Sequence, residues 1–232
     1  MQDKGRQVNA EPYAWPHDGR LNPQTTALVV VDMQRDFCEE GGYLSHQGYD
    51  IGHTRAIIPN IKRLLASCRT KGFPIFHTRE GHRADLSDLP PRELFRSRNN
   101  PSGLGIGDEG PLGRLLVRGE AGHEIVKELC PRQGEPVIDK PGKGAFTNTD
   151  FDLLLRVKRI RNLIICGVTT DVCVHTTMRE ANDRALDCLL VEECCAASEE
   201  HLHRAAVEMV RTEGGAFGAT GFLENVLKAI ED

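Results

Sequence analysis

No apolar run in this chain of 232 residues approaches the length of a bilayer span; the longest, such as Ala27–Val31 and Leu163–Cys166, are strand-length. Basic residues are not in excess. The formal net charge is −5, with both signs interspersed, so the basic face of a nucleic-acid binder is missing. Met1 is followed by a polar stretch without an apolar core, and no secretory signal is visible. No CxxC pair occurs among the eight cysteines, and Cys194 and Cys195 are adjacent, which leaves a tetrahedral zinc site unsupported. Buried free thiols are therefore expected for most of them, rather than disulfides. What is there is 39% hydrophobic and 27% charged, too apolar for a disordered chain. The expectation is a soluble cytoplasmic protein without metal, cofactor, membrane or nucleic-acid partner.

Strand and helix patterns alternate along the chain. Residues 1–25 are rich in Pro, Asn, Gln and charge and read as an irregular arm. Thr26–Asp32 is a β-branched run suited to a strand buried on both faces, and Pro74–Thr78, Pro136–Lys140, Asn162–Val168 and Asp187–Val191 follow as strands. Helical spacing marks Ile57–Arg69, Asp150–Arg159, Asp171–Arg184, Glu199–Thr212 and Leu223–Ile230, with a last edge strand near Phe217. Residues 80–124 form a long irregular loop, whose Gly103–Gly107 run follows no strand and so makes a poor dinucleotide fingerprint. One domain over 1–232 is expected: a three-layer α/β/α sandwich around a mainly parallel, doubly wound, Rossmann-like sheet of about six strands. Chemistry belongs at the carboxyl ends of those strands.

Asp32, Lys140 and Cys173 lie at such ends or just beyond. Singly, each has a bland explanation: a cap, a solvated amine, a small core residue. Together they form an acyl-transfer set. A helix N-terminus and a nearby ammonium both favour thiolate and would bring the Cys173 thiol toward neutrality. Asp32 could take the thiol proton and return it to a leaving amine, while the turn Gly167–Asp171 aims N–H groups at an oxyanion.

The segments Val30–Phe37, Asp139–Lys143 and Gly167–Val174 resemble the isochorismatase-like cysteine hydrolases in order and spacing. Gly41–Tyr43, His77–Arg83, the Gly-rich loop and Met178–Arg184 resemble the biuret and triuret hydrolase branch. The resemblance implies Cys173 as nucleophile, Asp32 as general acid/base, Lys140 as the stabilising cation, and the amides of Thr169 and Cys173 as the oxyanion hole. It implies a cis peptide at Val168–Thr169 and a homo-oligomer, a tetramer by preference. Phe37 would form an apolar wall or simply core; Arg79 and Glu80 would reach the crevice rim or form a surface ion pair. Glu213 stands where the biuret branch typically has Gln, and would favour an extended ureide, triuret ahead of biuret. Isochorismatases proper need no cysteine here, and Asp50, His53, His77 and His82 do not reproduce the nicotinamidase metal cluster. Ureidoacrylate-type and N-carbamoylsarcosine-type amidohydrolases remain alternatives, as do an inactive binding protein and a redox sensor.

Overall fold

Six segments pair in parallel: β1 (Thr26–Val31), β2 (Ile75–Glu80), β3 (Val137–Lys140), β4 (Asn162–Val168), β5 (Asp187–Ala196) and β6 (Ala219–Gly221). The computed structural model describes residues 6–231, so the first five residues of the arm lie outside it. The strands are ordered β3-β2-β1-β4-β5-β6. The chain thus winds outward from β1 in one direction, then restarts at β4 and winds in the other. Strands β1 and β4 are buried throughout, as the middle of a three-layer sandwich requires.

The helices of seven residues or more are α1 (Ile58–Thr70), α2 (Pro91–Ser97), α3 (Phe151–Val157), α4 (His175–Asn182), α5 (Glu200–Gly215) and α6 (Leu223–Glu231), besides short turns of helix at Arg35–Cys38, Tyr43–His46 and Gly52–Ala56. Helices α1 and α6 pack on each other and on the sheet, while α4 and α5 cover β5 from the other layer. The aliphatic stripe of α1, Ile58, Ile61, Leu64, Leu65 and Cys68, is the face it buries. None of the described helices is long and apolar enough to cross a membrane.

The centre of the sheet is tight. Gly167 on β4 lies opposite Val31 of β1 with φ +116°, and a Cβ there would stand 2.1 Å from the Val31 carbonyl oxygen. Only glycine fits where the two strands part.

Several boundaries differ from the sequence reading. Strand β2 runs two residues past Thr78, because Arg79 and Glu80 pair in register with Asp139 and Lys140 of β3. Strand β5 continues to Ala196 through the charged pair Glu192-Glu193. The helix expected from Asp171 begins as a π turn, Thr170–Val174, before α4. Helix α5 passes a kink at Thr212–Gly214, where Glu213 is left-handed with φ 53°.

The segment between β2 and β3 is irregular apart from α2, a small hairpin at Glu109–Arg114 and one short helical turn. Its fixings are specific. The buried Asp36 carboxylate accepts the N–H of Tyr43 and of Leu116, both at 3.1 Å, and Val126 N–H donates to the Met33 carbonyl at 2.9 Å.

Candidate active site

The winding reverses between β1 and β4, so their carboxyl ends diverge and leave a crevice, the usual ligand position in such sheets. Asp32 is the first residue past β1, with φ 48°, and Cys173 sits in the π turn that follows β4. Lys140 ends β3, and Glu80 ends β2 directly opposite it.

These four side chains converge. The Lys140 ammonium stands 2.7 Å from Asp32 Oδ2 and 3.5 Å from Glu80 Oε2, and donates to the Gly142 carbonyl at 2.9 Å. Thr78 Oγ1 donates to Asp32 Oδ1 at 2.6 Å. The Cys173 thiol donates to Glu80 Oε2 at 3.3 Å. Lys143 brings a second ammonium to Glu80 Oε1 at 2.6 Å and also pairs with Glu93 of α2 at 3.2 Å. Asp32 and Lys140 are fully buried, while the Lys143 side chain is 38% exposed and marks the rim.

Strand alternation explains the selection. Thr78 and Glu80 are two apart on β2 and face the cluster. Arg79 between them faces away, its guanidinium held by Asp139 at 2.8 Å and Glu124 at 3.1 Å. The side chain of Gln34 then clamps the backbone of Glu80, accepting its N–H at 2.6 Å and donating to its carbonyl at 2.9 Å.

Two ammonium groups face two carboxylates, and the charges balance with the thiol protonated. Burial pushes the Asp32 carboxyl up; Lys140 opposes that and the charge of Glu80 adds to it. Glu80 is pushed up by burial too, but Lys143 and Lys140 outweigh it and hold the carboxyl at about 2. Burial drives the Cys173 thiol well above its ordinary value; Glu80 and Asp32 reinforce this, and Lys140 and Lys143 only partly offset it. The expectation of a thiol brought toward neutrality is therefore corrected. The reason is first the burial of the sulfur, with the two carboxylates beside it adding to the effect.

Of the other expected residues, Phe37 is buried in the core and packs edge-on against Tyr43, with ring centroids 6.3 Å apart. Glu213 is exposed on the α5 kink and has no hydrogen bond or ion pair among the described residues. The Val168–Thr169 peptide is cis. Lys143 and Thr78 lie inside the segments that carry the family resemblance, and the spacing of Thr78 to Glu80 and of Lys140 to Lys143 is the signal in the sequence that places them at the site. Asp32, Glu80 and Cys173 offer donor atoms within 4.8 Å of one another, but the Lys140 ammonium already lies beside both carboxylates. That donor set fits a hydrolase better than a metal centre. Among the described residues, Asp50, His53, His77 and His82 do not gather: His77 bonds Glu135 and His82 pairs with Asp88.

A thiol beside buried carboxylates and ammonium groups at the mouth of a doubly wound sheet is the equipment of a hydrolase. Residues 26–220 match the family model described as the isochorismatase domain, and the chain belongs to that family. It is 32% identical to the ureidoacrylate amidohydrolase RutB of Pantoea ananatis, over 83% of this chain and 78% of that one. It is 36% identical to the enzyme of the same name from Cronobacter sakazakii, over 68% of each. A cysteine hydrolase from Pseudomonas syringae pv. phaseolicola superposes with a TM-score of 0.78 at 27% identity, covering 100% of this chain and 99% of the other. The protein is a cysteine-dependent amidohydrolase of the isochorismatase superfamily.

Proposed function

We propose that the protein hydrolyses the carbamoyl C–N bond of a small ureide, R–NH–CO–NH₂, through a thioester on Cys173. The observation that carries this is the cluster around the thiol: Cys173 hydrogen-bonded to Glu80 and within 4.8 Å of Asp32, with Lys140 and Lys143 paired to those two carboxylates. Relatives named as ureidoacrylate amidohydrolases support an N-carbamoyl substrate of that type ahead of biuret or triuret. The narrower likeness to the biuret and triuret branch rests on short motifs alone.

In this reading the thiol proton passes to Asp32, whose raised affinity for a proton suits it as acceptor. The sulfur attacks the carbonyl carbon, and the amides of Thr169 and Cys173 receive the oxyanion. Asp32 then returns the proton to the departing amine, leaving H₂N–CO–S–Cys173. Water, deprotonated by Asp32, displaces the sulfur and releases carbamate, which breaks down to ammonia and carbon dioxide. Lys140, 2.7 Å from Asp32, moderates the charge as that carboxyl cycles between its two states.

The test is ammonia release from ureidoacrylate, other N-carbamoyl amines, biuret, triuret and nicotinamide. Turnover of N-carbamoyl compounds with a carbamoyl adduct on Cys173 by mass spectrometry is expected. Inactivity on every ureide would end this reading.

A further inference from the structure

Glu80 has no part in the proton transfers just described, yet its carboxylate accepts the hydrogen bond of the nucleophile's thiol. Its carboxylate is buried, and it is fixed at every point: the backbone by Gln34, Oε1 by Lys143, and Oε2 by the Cys173 thiol at 3.3 Å and Lys140 at 3.5 Å. A carboxylate held by two ammonium groups makes a poor base. It makes a good, permanently charged acceptor. Where it stands, it has one contact that a ligand can replace without breaking an ion pair, and that is the S–H.

From this geometry we infer that Glu80 is a specificity-determining brake on the nucleophile: it holds the Cys173 proton until a substrate N–H takes the thiol's place on Oε2. The inference rests on the ureide reading and deepens it. The –NH₂ of a carbamoyl group lies one bond from the carbonyl carbon that the sulfur must reach. A carbamoyl group entering the crevice therefore brings a donor to Oε2 together with its electrophile to Sγ. The displaced thiol is then free to pass its proton to the Asp32 carboxylate, whose oxygen lies within 4.8 Å of the sulfur. No proton stays on Glu80, and no bond to it is made or broken beyond the exchanged hydrogen bond. An acyl group that fills the same space without a donor, such as acetyl, leaves the brake in place. Lys143 completes the device from the rim: by pairing with Oε1 it keeps the carboxylate turned toward the sulfur.

This role makes an unusual demand of Glu80→Gln. Loss of the charge should release the thiol while impairing turnover. Iodoacetamide labelling of Cys173 at pH 7, followed by peptide mass spectrometry, should speed up by about tenfold or more, as a one-unit fall in thiol pKa produces. The value of kcat/KM for an N-carbamoyl amine should fall by roughly tenfold to hundredfold with the charged hydrogen bond gone. A residue that only supports the fold would lower both. In wild type, an N-carbamoyl amine should be preferred over its N-acetyl counterpart by roughly a hundredfold, and Glu80→Gln should erase most of that preference. Unchanged or slower labelling in a folded Glu80→Gln overturns the inference. So does wild-type turnover of both acyl groups at similar rates, a measurement that needs no variant to fold. Inactivity of wild type on all ureides would instead defeat the substrate reading beneath it.

Discussion

At the residue scale Cys173 is the proposed nucleophile, and Cys173→Ser should bind ureide yet turn over at least about a thousandfold more slowly, because an unactivated hydroxyl is a weak nucleophile. Single-turnover assays with the folded variant check this, and near-normal rates remove Cys173 from the role. A second residue governs acid stability. His123 is buried with neither ring nitrogen hydrogen-bonded among the described residues. It fits because Gly81 has no side chain: a Cβ there would lie 2.5 Å from its ring. Burial, helped by Arg79 and Arg118 against Asp139, lowers it to about 4. The unfolded chain binds this proton first, so stability is full above about pH 6.5 and drains away as pH falls toward about 4. The loss is on the order of 3 kcal/mol at most. His77, His175 and His203 move in the same direction, so His123→Gln should flatten the slope of Tm against pH over that window without abolishing it. An identical slope in the variant would exclude His123. At this scale Asp32, Lys140 and Cys173 were legible because reactive residues at the carboxyl ends of strands in one half of the sheet meet once a doubly wound sheet is assumed. Glu80 was not. Its neighbour Arg79 made the pair look like surface charge, and burial beside two lysines is a product of tertiary packing.

Elements position these residues through their ends more than their middles. The apolar cores of β1, β2 and β4 and the stripe of α1 were readable from periodicity, within a residue or two. The errors fall where charge interrupts the pattern: the last two residues of β2, the Glu192-Glu193 stretch of β5, and the π turn before α4. In the two strands the polar residues are satisfied by partners far away in sequence, such as Lys140 for Glu80 and Arg211 for Glu192. A local pattern has no access to that. Two elements depend on single residues that can be changed. Gly167→Ala places a methyl against the Val31 carbonyl at a left-handed φ, so the protein should be recovered insoluble or with Tm lowered by many degrees. A soluble Gly167→Ala with wild-type Tm would contradict the close approach of β1 and β4. Gln34→Ala releases the Glu80 backbone from both clamps. It should reduce kcat/KM by roughly tenfold to hundredfold through the misplaced acceptor. Equal kinetics in a folded variant would show that β2 ends firmly without Gln34.

For the whole molecule, the arm and the sheet form one packing unit although they look separate in sequence. The arm read as irregular, and it does have no helix or long strand, but it is not loose. Val8 and Trp15 pair antiparallel, Glu11 pairs with Thr220 on β6, and the Tyr13 hydroxyl donates to Asp187 at 2.7 Å. Arg6 reaches the carbonyls of Ala229 and Ile230 at the end of α6. Trp15, the only tryptophan in the chain, is fully buried. The arm covers the free edge of β6, which would otherwise offer unpaired backbone groups to another chain. The described contacts of residues 6–18 are with β5, β6, α6 and Arg211 of α5, beyond β4 from Asp32 and Lys140. Deleting residues 2–18 therefore separates stability from catalysis. Loss of Trp15 alone costs roughly 3–5 kcal/mol on the scale of large core truncations. At about 2–4 °C per kcal/mol for a chain of this size, Tm should fall by roughly 6–20 °C. Below that transition kcat/KM should stay within about threefold of the full chain, since the crevice keeps every group described above. Thermal melts and ureide kinetics on the truncated protein decide the matter. An unchanged Tm would mean the arm is dispensable to the fold, and a collapse of kcat/KM at low temperature would mean it reaches the site after all.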